Sequence, residues 1–480
     1  MKKVAIIVAN SRWFDGRPYM EPIMALPILA SILNENFEYE VIDCNGLNLN
    51  EEQTIEAIQK TRPNIALITA LSVELHKQYA KVAELVKKVS KDIITVMGGV
   101  YPTTSYDHVM EDYNVDYIML GHAEERLCQF LNAIISNEDM SGIKGIGYRQ
   151  NGQVIINPVE TYIGDLEKMV NPDYSKIDLT PYIEHGFRVA KQARREVPII
   201  TSYGCPHNCL FCATRTISGR KIAYREVEDV IEEMRYLKEK YQVDSIMFLD
   251  DNILADEERA KYLFHRMIGE NFNFKFRLMS TAVWHLNEEI LDLMVKAGCY
   301  AVSLSIESGC DRVLHQIIRK PLKKEIVPGV IKMCQERNIF VLANIVIGFP
   351  GETWNEIRES IAFGEMCNPD HLQIFIATIL PQTDLYKTAK EQGCIPDDFD
   401  FFDESIYTGF FKGNITTDEF TPEELEILRS FEWDRINFAT DEKRKKFCEY
   451  RGISADELAK YRKATRQSLG KAAGLRKGSV

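Results

Sequence analysis

The chain has 480 residues, of which 45% are apolar and 27% charged, an ordinary balance for soluble globular proteins that allows two or three domains with sizeable cores. Its formal charge of −13 argues against a nonspecific nucleic-acid binder, whose phosphate contacts call for a basic face. No apolar run reaches the length of a membrane span, and the eleven cysteines show no spaced disulfide framework, so reduced thiols and the cytoplasm are expected.

The opening Met1-Lys2-Lys3-Val4-Ala5-Ile6-Ile7-Val8 is too short for a signal peptide and reads as a buried first strand. Four further short apolar runs follow, Tyr39–Asp43, Ile65–Thr69, Ile93–Met97 and Tyr117–Leu120. They are interleaved with helical patterns near Leu26–Asn34, Glu51–Lys60 and Leu75–Lys88. This alternation predicts an α/β, doubly wound, Rossmann-like parallel sheet over residues 1–150. Ligands of such sheets sit at the carboxyl ends of the strands. Here those ends carry Asn10-Ser11, Thr69-Ala70-Leu71-Ser72, Gly98-Gly99 and Gly121-His122. Glycine at such a point lets backbone approach a ligand closely.

Residues 151–196 lack steady periodicity, are rich in Pro, Asp and Tyr from Asn171 onward, and read as an interdomain connection. From Pro198 a second alternation begins. Strands are expected near Ile199–Ser202, Ser245–Leu249, Lys275–Ser280, Ala301–Ile306, Phe340–Ile347 and Leu372–Ile379. Between them, Val227, Val230, Ile231, Met234 and Leu237 share one helical face, and Gly298 can close a helix over Glu288–Ala297. Six βα units over 197–396 predict a partial barrel with its active groups at the carboxyl-end rim.

The first of these units holds the most informative run in the chain, Gly204-Cys205-Pro206-His207-Asn208-Cys209-Leu210-Phe211-Cys212. Three thiolates this close can hold three irons of a [4Fe-4S] cluster and leave the fourth without a protein ligand. A structural zinc site would be closed by four ligands, and although His207 lies in the loop, no fourth cysteine or Cys-His pair completes the usual spacing. An open cluster is the better reading, with a zinc-binding or noncatalytic iron–sulfur protein as the alternative.

Cys-x3-Cys-x2-Cys with an aromatic residue, Phe211, before the last cysteine resembles the signature of radical S-adenosylmethionine (SAM) enzymes. The resemblance implies that Cys205, Cys209 and Cys212 carry the cluster, that its open iron chelates SAM, and that a 5′-deoxyadenosyl radical is formed. It further implies a low-potential electron donor such as flavodoxin or ferredoxin, and anaerobic conditions. In Ser303-x-Ser305-x-Glu307 the polar groups alternate with Val302, Leu304 and Ile306, so all three point to one side of a strand. Glu307 resembles the family's strand-end acid toward SAM, with a rim salt bridge as the other reading. Asn344-x-Val346-x-Gly348-Phe349-Pro350-Gly351-Glu352 is similar to the family's Gly-x-Ile-x-Gly element, with Asn344 in place of the first glycine. Asp250-Asp251-Asn252 matches a SAM-supporting motif only in position, and an acidic pair there could equally cap the next helix. Tyr203 stands where many relatives have arginine and is assigned no role.

Ahead of such a motif, the N-terminal third resembles the cobalamin-binding domain of one large radical SAM class. Thr69-x-Leu71 is similar to the family's Ser-x-Leu element and Gly98-Gly99 to its Gly-Gly element, while Val115–Gly121 and Gly145–Gly152 also look like that class. The resemblance implies that Thr69, Leu71, Ser72, Gly98, Gly99 and Gly121 line a corrinoid. Many cobalamin domains supply an axial histidine after the first strand, but here that loop reads Asn10-Ser11-Arg12-Trp13-Phe14-Asp15-Gly16-Arg17. The departure implies cobalt without a histidine lower ligand, faced by Leu71, Ser72 or Val73.

Beyond Asp397 aromatic residues crowd into Phe399–Phe402 and Tyr407–Phe411, and Thr421-Pro422-Glu423-Glu424 and Ser454-x-x-Glu457 read as capping boxes. Residues 397–480 are thus expected to form a small helical cap, with Phe431, Trp433, Ile436 and Phe438 as packing residues. The basic run Lys443–Lys446 and the tail from Lys460 to Lys477 read as a solvated helix face and a loose end. The function the family resemblance implies is methyl transfer to an unactivated carbon of a small molecule, lipid, tetrapyrrole or peptide, with a radical cyclase or oxidase using the same cofactors as the alternative.

Overall fold

The computed structural model describes residues 2–16, 18, 21–166, 169–186, 190–403 and 411–467. The chain divides into two compact units, one formed by Met1–Phe187, Ile200–Cys205 and Thr214–Tyr241, the other by Arg188–Ile199, Pro206–Ala213 and Gln242–Val480.

The first unit is built on strands β1 (Lys3–Val8), β2 (Glu38–Asp43), β3 (Ile65–Thr69), β4 (Ile94–Gly98), β5 (Tyr117–Met119), β6 (Ile146–Gln150) and β7 (Gln153–Asn157), in the spatial order β2-β1-β3-β4-β5-β6-β7. The first five are parallel. Val4 to Ile7 in β1 and Ile65 to Ile68 in β3 are buried without alternation, as expected for central strands covered on both faces. The order reverses between β1 and β3, so the loops after these strands flank a topological switch point. An antiparallel hairpin, β6–β7, extends the sheet. Its two-residue turn, Asn151-Gly152, has both residues at positive φ, +53° and +79°, as a primed turn requires.

The expected connection is more tightly held than its sequence suggests. Within the first unit the Tyr182 hydroxyl donates to Asp43 at 2.8 and 2.9 Å, and the Tyr174 hydroxyl donates to Glu233 at 2.5 Å. The strand expected at Ile199–Ser202 is two pieces. One, β8 (Glu196–Ile199), joins the second unit's sheet, and the other, β9 (Ser202–Tyr203), pairs with β10 (Ala223–Tyr224).

The second unit's sheet comprises β8 with β11 (Ser245–Phe248), β12 (Lys275–Thr281), β13 (Cys299–Glu307), β14 (Phe340–Ile347) and β15 (His371–Ile376), all parallel and adjacent in chain order. Such sequential winding is that of a barrel sheet, with β8 and β15 at its edges. Gly298 closes the helix Glu288–Ala297 at φ +107°, where a Cβ would lie 2.0 Å from the Phe274 carbonyl oxygen. The C-terminal helices are Pro422–Asn437, Asp441–Arg451 and Ala455–Gln467, and both expected capping boxes form.

The first of these helices covers the sheet edge. Asn437 accepts from the Leu372 amide (2.7 Å) and donates to its carbonyl (2.8 Å), and Arg429 donates to the Ile374 carbonyl (3.0 Å). Side chains thereby satisfy the outward groups of β15 that an open edge would leave unpaired. Trp433, Ile436 and Phe438 are buried, but Phe431 is 52% exposed and is not a core residue, because it falls on the helix face turned from β15. In the basic run, Arg444 pairs with Asp441 at 2.5 Å and Lys446 with Asp370. Tyr407, Gly409 and Phe410, and the tail past 467, lie outside the described residues. No helix among the described residues is long and apolar enough to cross a membrane.

Candidate functional site

Cys212 is the one exposed cysteine, and two cysteines outside the motif, Cys128 and Cys448, share the half-burial of Cys205 and Cys209. Cys44, Cys299, Cys310, Cys334, Cys367 and Cys394 are buried. Burial pushes the thiols of Cys44, Cys334 and Cys367 up to about 12, which keeps them protonated and poor metal ligands. The motif loop is anchored by its apolar residue: the Leu210 amide donates to Ile318 and its carbonyl accepts from Leu385, both at 2.9 Å. Phe211 packs on Phe349, ring centroids 5.8 Å apart. His207 lies edge-on to Trp284 at 5.2 Å, and burial, aided by the Lys320 charge, pushes its pKa down. Accessible thiols on an anchored loop fit a cluster in which three irons take one cysteine each and the fourth takes none.

On β13, Val302, Leu304 and Ile306 are fully buried while Ser303 and Ser305 keep partial access, so the alternation read from sequence holds. A register shift between Ser305 and Glu307 places Glu307 at φ +69°, a left-handed conformation that costs a non-glycine residue and concentrates at ligand sites. Its carboxylate pairs with Lys320 at 3.0 Å, both side chains buried. The rim salt bridge considered for this acid therefore exists. Asn344 donates to the Ser303 hydroxyl at 2.8 Å. Gly348 lies at φ +89°, and the space of its missing Cβ is filled by Leu425, 2.5 Å away. One Glu352 oxygen accepts from the amides of Gly348 (2.7 Å) and Phe349 (3.0 Å), while the other is buried without a partner. Burial pushes this carboxyl up to about 7.

The capping alternative for Asp250-Asp251 does not hold, because Asp256 caps the helix Glu257–Gly269 by accepting from the Arg259 amide at 3.0 Å. Asp250 and Asn252 are instead buried, and the Asn252 side-chain oxygen has no hydrogen-bond partner. Lys320 and Trp284 escape the sequence reading, and Glu352 enters it only as the last residue of the run that starts at Asn344. Only Glu352 had a local signal, its place after Gly348-Phe349-Pro350-Gly351.

In the first unit, the Thr69 hydroxyl at the end of β3 is buried with no partner, an orphan at the position where a ligand is expected. The Ala70 amide donates to the Gly98 carbonyl (2.8 Å) and its own carbonyl accepts from Tyr101 (3.1 Å). Gly99 lies at φ +115°, and a Cβ there would be 2.5 Å from the Ala70 oxygen. A Cβ on Gly98 would meet nothing nearer than 3.7 Å. The two glycines thus differ: Gly99 is required by the chain's own packing, and Gly98 leaves open room. Gly121, at φ +67°, donates to the Thr103 hydroxyl at 2.8 Å, which donates to the Gly99 carbonyl at 2.6 Å. Leu71 and Ser72 are half-buried, with both amides directed at the Tyr79 hydroxyl.

The loop after β1, where a histidine is lacking, is filled by amide side chains. The Ser11 amide and hydroxyl both donate to Asn45, at 3.1 and 2.8 Å, and Asn10 donates to Asn48 and Leu49 at 3.0 Å. His122 bonds Ser218 at 3.2 Å, and its ring packs edge-on to Tyr203 at 5.5 Å, which gives Tyr203 a packing role. An orphan hydroxyl beside an open glycine, at the carboxyl ends of adjacent parallel strands, fits a corrinoid held largely by backbone.

Residues 17–131 match the model of the B12 binding domain and residues 199–364 that of the Radical SAM superfamily. Among curated relatives, an uncharacterised methyltransferase of Pyrococcus horikoshii is 28% identical over 77% of this chain and 78% of its own length. Cytidylyl-2-hydroxyethylphosphonate methyltransferase of Streptomyces wedmorensis is 25% identical over 76% and 73%. The anaerobic magnesium-protoporphyrin IX monomethyl ester cyclase of Rubrivivax gelatinosus is 26% identical over 77% and 66%. In fold, the chain is similar to the radical SAM methyltransferase TsrM of Kitasatospora setae, solved with cobalamin and a [4Fe-4S] cluster, with a TM-score of 0.71 at 18% identity over 82% of this chain and 76% of that one. The zinc-binding and noncatalytic alternatives give way to these matches. With a B12-binding and a radical SAM domain in one chain, the protein belongs to the cobalamin-dependent radical SAM enzymes, whose cofactors are a [4Fe-4S] cluster, SAM and cobalamin.

Proposed function

We propose that the enzyme transfers a methyl group from SAM to an unactivated carbon of a small molecule, lipid, tetrapyrrole or peptide. The observation that carries this reading is the presence, on one chain, of two parallel sheets whose carboxyl-end loops suit two different cofactors. The named methyltransferases among the relatives support it. When bound, SAM on the cluster supplies a 5′-deoxyadenosyl radical and cobalamin supplies a transferable methyl group.

In this reading residues 1–150 hold the corrinoid through Thr69, Leu71, Ser72, Gly98, Gly99 and Gly121, and the part of 151–196 beyond β7 connects the domains. Residues 197–396 hold the cluster through Cys205, Cys209 and Cys212. Phe211 and the Gly348 turn border SAM, Glu307 accepts from its amino or ribose groups, and Asn344 offers a polar edge beside Ser303. Lys320 orients the Glu307 carboxylate, so the salt bridge and the SAM contact are compatible. Residues 397–480 cover the sheet edge and contribute to substrate selection. The working partner is a low-potential electron donor such as flavodoxin or ferredoxin, in an oxygen-free cytoplasm, with no nucleic acid required.

Two coproducts test the proposal. Remethylation of the corrinoid releases S-adenosylhomocysteine, and hydrogen abstraction releases 5′-deoxyadenosine, so both should accumulate together with methylated product. The second reading, a radical cyclase or oxidase, is favoured by the similarity to the anaerobic cyclase. It predicts 5′-deoxyadenosine alone.

A further inference from the structure

We infer that Tyr79 is a positioning residue for the face of the corrinoid site formed by Leu71 and Ser72, an inference that rests on the cobalamin-binding reading of this loop. The loop leaves β3 at Thr69 and turns through Val73–Leu75 into the helix His76–Val89. Tyr79 lies in the first turns of that helix, 3% exposed, and its hydroxyl accepts from the Leu71 amide at 2.9 Å and the Ser72 amide at 3.3 Å. Two successive N–H groups therefore converge on one oxygen, and the loop curls about it.

The neighbouring residue shows why this contact matters. Ala70 is fixed by backbone alone, through Gly98 and Tyr101. Those bonds would survive most side-chain changes. The amides of Leu71 and Ser72 converge on a single side-chain atom instead, with the Ser72 carbonyl accepting from the Leu75 amide at 3.2 Å. The Ser72 hydroxyl is already engaged, accepting from the Glu74 amide at 3.2 Å as the cap of the following turn. The Tyr79 ring is held in turn, stacked on Tyr101 with centroids 5.9 Å apart and planes inclined by 28°, and the Tyr101 hydroxyl bonds His108 at 2.6 Å. Burial pushes the Tyr79 phenol well above its ordinary range, so it serves as a neutral acceptor. Because no histidine follows β1, the surroundings of the metal's lower side depend on where this loop stands, and Tyr79 sets that position without adding a formal charge.

The test compares Tyr79→Phe with Tyr101→Phe. Each removes one hydroxyl from the same stacked pair, but only the Tyr79 hydroxyl bonds the loop, whereas Tyr101 meets it through a backbone amide that phenylalanine keeps. Apo-protein whose circular dichroism matches the native chain is titrated with hydroxocobalamin, and the cobalt(II) form is examined by electron paramagnetic resonance. Tyr79→Phe should bind at least about tenfold more weakly and show an altered cobalt(II) spectrum, while Tyr101→Phe matches the native protein in both. Native affinity and spectrum in Tyr79→Phe would overturn the inference. Equal weakening in both variants would also overturn it, since the stack would then act as a packing unit. A native chain that takes up no corrinoid would reject the cobalamin reading itself and the inference with it.

Discussion

The strand-end loops of the two sheets, proposed above to border two cofactors, are held by different chemistry. In the first unit the loops are tied mainly through neutral groups: Asn10 bonds Asn48, Ser11 bonds Asn45, Thr103 ties Gly121 to Gly99, and Tyr79 gathers two amides, with Arg12 on the Asn45 carbonyl as the charged member. In the second they carry buried charge, the Glu307–Lys320 pair and the Glu352 carboxyl. A mainly neutral border suits a large ring held by backbone and shape, whereas charged groups suit the zwitterionic end of SAM. The difference predicts that the two sites fail separately and respond differently to pH.

The largest effect should come from the thiols. Replacing Cys205, Cys209 and Cys212 together with alanine should abolish cluster iron and 5′-deoxyadenosine formation while leaving corrinoid uptake intact, checked by iron and cobalt analysis of the same sample. Loss of both metals would break the separation between the sites. Next in size is Lys320→Met, which strands Glu307 as a buried charge and should cost about 3–5 kcal/mol in chemical denaturation. Adding Glu307→Gln should recover most of it. A cost below about 1 kcal/mol would show that the pair is more hydrated than its geometry implies.

The Glu352 carboxyl titrates at about 7 in the folded chain against an ordinary 4.5. Between these values the folded state binds more protons than the unfolded state, so stability falls as pH rises through the window. Glu352→Gln should lack this loss and gain on the native chain toward the upper end, by at most about 1.4 kcal/mol per unit of displacement. Urea unfolding at both ends of the window measures it, and parallel pH profiles would contradict the assignment. The smallest effect is expected at Gly98, where the chain itself leaves room for a side chain. Gly98→Val should keep the fold and the cluster but weaken corrinoid binding about tenfold, or about 1.4 kcal/mol. Unchanged binding would remove Gly98 from the corrinoid border.

What could be read from sequence follows from how each feature is encoded. Continuous apolar runs such as Ile65–Thr69 and Phe340–Ile347 gave their strands to the residue, because buried parallel strands need no partner-specific pattern. The cysteine triad was legible because ligand chemistry fixes residue identity as well as spacing. The β6–β7 hairpin went unread although Asn151-Gly152 signalled it, since the stretch was weighed only for its family resemblance. Tyr79 and Lys320 could not be found that way. Each acts across a turn or loop on a group it meets only after folding, and neither stands in a distinctive local pattern. Phe431 failed for a related reason: helical spacing alone does not say which face β15 will cover.

In the proposed methyl transfer the carbon comes from SAM by way of the corrinoid, and mass spectrometry of the product formed with SAM labelled on its methyl group tests this most directly. The product should carry the intact labelled methyl and appear together with S-adenosylhomocysteine and 5′-deoxyadenosine. Product without the label, formed alongside 5′-deoxyadenosine alone, would contradict the proposed transfer.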